Sequence, residues 1–176
     1  MKMTLNELIR IALLLAVAII IHFIEAFFII PIGGFHLKIG LSNIVILLVL
    51  FRMNFWMVLF FAICKSCFSF IYEPAFNSLT WFISIGGSFF SIFSMLLVKS
   101  RFKNNILLIS VIGGIFHNIG QIMAIIVFFS NLFYNLFIFY LPFLIITGAI
   151  AGFLTGKITE WVLNRTDKSV LFGNKV

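Results

Sequence analysis

Leu8 to Ile30 is an almost unbroken run of 23 apolar residues, interrupted by His22 and Glu25. A helix over it rises about 34 Å at 1.5 Å per residue, enough to cross a hydrocarbon core of roughly 30 Å. The run is too long for a signal peptide, and no small-x-small cleavage site follows it, so it reads as a retained helix. Five more apolar runs follow, with short connections between them. The spacing predicts helix two over Ile39–Phe51, helix three over Phe55–Tyr72 and helix four over Phe76–Val98. Helix five is expected over Ile106–Phe129 and helix six over Leu136–Ile158. Pro31 with Gly33-Gly34 stops helix one, and Glu73-Pro74 stops helix three. The runs are apolar on every face, whereas barrel strands alternate apolar and polar positions, so a β-barrel is excluded.

The expected fold is therefore an all-α integral membrane protein of six transmembrane helices. One domain covers residues 1–163, and 164–176 form a polar tail. Composition agrees: 63% of residues are hydrophobic and 10% charged, against about 25% charged in soluble proteins. The formal net charge of +7 raises the question of nucleic acid. Its distribution answers it. Lys2, Arg10, Arg52, Lys99, Arg101, Lys103, Lys157, Arg165, Lys168 and Lys175 fall on one side, against Lys38 on the other. That asymmetry places both termini in the cytoplasm and makes the charge topological, with the lipid bilayer as partner and no nucleic acid. Two cysteines make no disulfide framework, and Cys64-x-x-Cys67 lies within a span without a second pair for zinc, so it reads as packing.

Helix two is too short. Thirteen residues rise about 20 Å, so either the bilayer thins around it or the preceding stretch PIGGFHLKIGLSN dips inward. Irregular backbone at depth is tolerated where protein or a water-filled cavity covers it. A dipping loop would aim the start of helix two, with Gly40, Ser42 and Asn43, at that cavity. Free N–H groups and the helix dipole there favour an anion, and Lys38 adds to them. The alternative has Lys38 snorkelling to the surface.

Glu25 and Lys65 are charges within apolar spans, a costly placement usually resolved by pairing or by a cavity. They read either as a packing pair or as a pair whose lysine turns toward a substrate. On helix five, Asn118 and Gln121 are spaced i,i+3, which puts them on one face as interhelical glue or as ligand readers. His117 reads as a satisfied interior residue. Asn77 follows Pro74 as a helix cap facing the same outer side. Trp81 reads as an interface anchor. Gly148, Gly152 and Gly156 form a double GxxxG, a close-packing face. Ala12-x-x-x-Ala16 is either packing or a docking face. There is no GxxxxGK[ST] segment, so the chain is not its own ATPase, and a single aspartate precludes an Asp-rich magnesium cluster.

At KIGLSNIV (Lys38–Val45), FNSLTWFISIGG (Phe76–Gly87) and FHNIGQ (Phe116–Gln121), the chain resembles the Gx transporter family. Its members are often labelled heptaprenyl diphosphate synthase component I. That family is similar to the substrate-binding S components of energy-coupling-factor transporters. The resemblance implies six helices and a first loop that closes an outer pocket. It also implies an AxxxA-type motif on helix one, matched here by Ala12 and Ala16, that docks on a transmembrane T component driven by two cytoplasmic ATPases. The implied activity is uptake of a vitamin-like small molecule at the cell membrane, flavin-related compounds being one suggestion, with no cofactor and no catalysis. The residues themselves nominate Glu25, Lys38, Asn43, Lys65, Asn77, Asn118 and Gln121 as the substrate site. A standalone proton-coupled carrier and a non-transporting membrane subunit associated with prenyl diphosphate metabolism are the rival expectations.

Overall fold

The computed structural model describes residues 4–25, 27, 29–32, 35–38, 40–72, 78–103, 105–128 and 134–166, with backbone alone at 29–32, 35–38, 69–72, 78–80, 128 and 134–140. Six helices and one short hairpin make up the described fold: α1 (Leu5–Glu25), β1 (Ile29–Ile32), β2 (Phe35–Lys38), α2 (Asn43–Arg52), α3 (Phe55–Tyr72), α4 (Ser78–Arg101), α5 (Ile106–Phe128) and α6 (Tyr134–Thr166). α1, α4, α5 and α6 are long and apolar enough to cross a membrane, and α2 and α3 are shorter apolar helices. The chain is an all-α membrane protein whose extended structure, among the described residues, is confined to that hairpin.

Three boundaries differ from expectation by four residues or more. α1 stops at Glu25, because the next residues leave the helix and pair as antiparallel strands in the register Ile29↔Lys38 to Ile32↔Phe35. Ile29, Ile30 and Ile32 are β-branched and suit a strand, and Pro31 cannot donate to a continuing helix. α2 starts four residues later than expected, after a turn in which Asn43 N donates to Gly40 O at 3.0 Å. α6 runs to Thr166 instead of stopping at Ile158, so residues 164–166 are helix and the remainder of the expected tail lies outside the described residues. The polar extension is held by its own contacts. Lys157 and Glu160 pair at 3.5 Å, Arg165 sits over the Trp161 ring at 4.5 Å, and Arg52 donates to Leu163 O and Thr166 Oγ1, both at 3.2 Å.

The core is built around α2. Val45 to Leu50 are all buried, as befits a helix that is apolar all round. Met57, Val58 and Phe61 of α3 pack with it, as do Ile92 and Met95 of α4 and Ile109 of α5. α1 joins through one seam, Ile11, Ala18 and Glu25, and shows most of its remaining surface. α5 is clasped on both sides by glycines. A Cβ at Gly86 would lie 2.8 Å from Gly120 O on the α4 side, and one at Gly152 would lie 2.6 Å from Ser110 O on the α6 side. The GxxxG of α6 is thus internal packing, closed also by a 2.8 Å hydroxyl contact between Ser110 and Thr155. Lys99 donates to Leu50 O, so a cation of the basic end ties α4 to the C-terminus of α2.

Candidate functional site

α2 rises about 15 Å, half of what a span requires. Its N-terminus therefore lies within the bundle, and a polar cluster gathers there. Ser42 precedes the helix without a side-chain cap. That task falls to Glu25, 1% exposed at the end of α1. Its carboxylate accepts the backbone N–H of Gly40 and that of Leu41 at 3.1 Å, and Ser42 N approaches at 3.5 Å. An internal anion, the Glu25 carboxylate, thus occupies the helix terminus where a ligand anion is expected. The physics is unchanged: amides without intrahelical partners and the positive end of a dipole hold a negative charge.

Gly40 has φ +87°, a conformation that favours glycine, and it lies against the His117 ring and the Asn43 amide. A Cβ there would come within 3.0 Å of His117 Cδ2 and 3.1 Å of Asn43 Nδ2. On the other side of the ring is Gly87 of α4, where a Cβ would meet His117 Cε1 at 2.9 Å. Two glycines thus make the slot that seats the imidazole. His117 Nε2 contacts Gln121 Nε2 at 2.8 Å, an i,i+4 pair, while Nδ1 faces the Gly87 backbone without reaching hydrogen-bond geometry. Asn43 Nδ2 reaches toward Ser91 Oγ at 3.5 Å, and its Oδ1 has no partner. Lys65 is buried in α3, within electrostatic range of the His117 ring, as are Glu25 and His22.

The structure thus brings together four of the seven nominated site residues: Glu25, Asn43, Lys65 and Gln121. Asn118 is placed elsewhere. Its Nδ2 donates to Leu144 O at 2.9 Å and Thr147 Oγ1 at 3.3 Å, which fastens α5 to α6, while Gln121 turns toward α4. The shared face expected of Asn118 and Gln121 is therefore split between two interfaces. Asn77 and the Lys38 side chain lie outside the described residues. Ala12 and Ala16 are both exposed on α1. Three participants went unnominated: Gly40, Gly87 and His117. The available signals were a glycine just before a short helix, the Gly86-Gly87 pair and a histidine within an apolar span.

β2 packs against α4 and α5, so the hairpin folds over the end of the bundle where the cluster lies. Gly33-Gly34 between Ile32 and Phe35 is a two-residue hairpin sequence; read as a helix stop within a dipping loop, it in fact joins two paired strands. The arrangement offers backbone amides, a carboxylate, an ammonium, an imidazole and two carboxamides in an otherwise apolar protein. Such groups recognise a small polar molecule by hydrogen bonding and charge. Among the described residues no three His, Cys, Asp or Glu side chains converge to hold a metal ion.

A family model described as heptaprenyl diphosphate synthase component I matches residues 14–162. No curated protein and no solved structure matches this chain.

Proposed function

This chain belongs to the heptaprenyl diphosphate synthase component I family, and on that footing we propose that it is the substrate-binding membrane subunit of an energy-coupling-factor-type transporter, importing a small polar, vitamin-like molecule. The observation that carries this reading is the buried polar cluster at the N-terminus of α2, with a hairpin folded over it. Charged and amide groups are costly inside a membrane and mark substrate paths. Glu25, Asn43, Lys65 and Gln121 hold the substrate, with Lys38 and Asn77 as further contacts, whereas Asn118 serves the α5–α6 interface. A substrate carboxylate or phosphate competes with Glu25 for the amides of Gly40 and Leu41, and Lys65 balances whichever anion is in place. Ala12 and Ala16 form the docking face for a T component, and two cytoplasmic ATPases supply the energy. The setting is the cell membrane.

Mass spectrometry of the gently purified protein is the first test, since a high-affinity binder retains its ligand. Uptake that needs co-expressed T component and ATPases supports the reading. Uptake by this chain alone, abolished by an uncoupler, would identify a standalone proton-coupled carrier. The family description itself favours a second reading, a non-transporting membrane component of prenyl diphosphate synthesis. Co-purification with a soluble synthase, without a bound small molecule, is its signature.

A further inference from the structure

α3 packs against α4 much less extensively than α5 does, and the space between them is a cavity of about 650 Å3. Its floor carries small side chains, including Ala62 and Ser66 of α3 and Ser88 of α4. Phe55, Phe89 and Phe93 stand along its walls. Toward the hairpin end the two helices are bridged by Trp81, whose indole N–H donates to Ser66 O at 2.8 Å. Trp81, expected as an interface anchor, is thus a crosspiece between helices. Toward the basic end the cavity reaches Phe55, Leu97 and Ser100. From Phe55 to Ser66 the slot rises about 17 Å along α3, close to one leaflet of a roughly 30 Å hydrocarbon core.

Charge begins where the slot ends. Phe89, Phe93 and Leu97 form an i,i+4 row along the slot, and Arg101 continues that row at the last residue of α4. Arg101 is exposed, and it borders an open recess lined also by Lys103, Asn105, Ile106 and Glu160, whose carboxylate is paired with Lys157 at 3.5 Å. Trp56 is 63% exposed one residue past Phe55, where an aromatic at the membrane–water boundary belongs. An apolar channel one leaflet long, bridged at its inner end and cationic at its mouth, has the shape and charge of a lipid site. We infer that the α3–α4 slot binds one tail of an anionic diacyl phospholipid from the basic-side leaflet, with its phosphate at Arg101. A zwitterionic lipid fits the slot equally well but gains nothing net from the mouth.

This inference is independent of the transport reading, and fluorescence tests it. In the full-length protein carrying Trp56→Phe and Trp161→Phe, Trp81 reports on the slot. The protein is placed in phosphatidylcholine vesicles containing a titrated minor fraction of either phosphatidylglycerol or phosphatidylcholine brominated at mid-chain. The expected result is a roughly fivefold preference for the brominated anionic lipid in quenching Trp81, the scale of one cation at a membrane surface. Arg101→Gln, an exposed change that leaves the slot intact, should bring the two lipids to parity while both still quench. Ala62→Phe should reduce quenching by both. Equal quenching by both lipids before any change at Arg101 overturns the inference and leaves ordinary boundary lipid. A Trp81 that neither lipid quenches also overturns it, and is the result expected if a protein helix fills the slot.

Discussion

The carboxylate of Glu25, the last residue of α1, accepts the backbone N–H of Gly40, fifteen residues on, at the threshold of α2. The hairpin is the connection between them, so this contact closes the loop that carries β1 and β2. It also answers a need: α2 begins inside the bundle, and its first amides lack both water and a local side-chain cap.

Removing that carboxylate should loosen the whole hairpin end of the bundle. Glu25→Ala leaves buried N–H groups unsatisfied at Gly40 and Leu41, at a cost of about 1–3 kcal/mol. Glu25→Gln keeps one acceptor oxygen and should lose less. Thermal melts in detergent measure the order. A Glu25→Ala protein as stable as its parent would mean that the carboxylate does not support the helix.

Gly40→Ala tests the same corner from the backbone. The positive φ and the close His117 ring both resist a Cβ. The expected loss is about 1–3 kcal/mol. A double variant with His117→Ala should recover the steric part and leave the conformational part. If the double variant melts no higher than Gly40→Ala, the ring is not the obstacle.

Much of this was legible from residue type. Long apolar runs set the helices, and α3 and α5 keep their expected starts at Phe55 and Ile106. The cost of buried charge singled out Glu25 and Lys65. Partner choice was not legible. Glu25 was expected to face Lys65 or a ligand, yet its nearest donors are backbone amides, which carry no side-chain signature. Asn118 and Gln121 are equally polar and three residues apart, and their separation follows from α5 being packed on both sides. The polar end of α6 stays helical because Arg52, distant in sequence, caps it.

That clasp makes α5 the least forgiving helix. Gly120 packs on Gly86, where an added Cβ would stand 2.5 Å from the Gly86 carbonyl oxygen, and the obstacle is backbone that cannot rotate away. Gly120→Val should therefore cost more than about 2 kcal/mol, the scale of overpacking. Gly156 faces the Ser110 side chain, so Gly156→Ala should be milder. Detergent melting and the monodispersity of the purified protein give the comparison. Equal effects at the two positions would mean that α4 and α5 are less tightly joined than these contacts require.

Ala12 and Ala16 separate folding from function. Ile11, Ala18 and Glu25 face the bundle, whereas Ala12 and Ala16 are exposed, so larger side chains there meet nothing within the protein. Ala12→Leu with Ala16→Leu should shift stability by no more than about 0.5 kcal/mol, as for other surface changes. On a small-residue docking face, however, the same change blocks close helix approach. The expected outcome is retained ligand, unchanged melting and lost uptake in cells that also express a T component and its ATPases. Reduced melting or lost ligand would make this face internal packing. Undiminished uptake would move the docking surface elsewhere on the bundle.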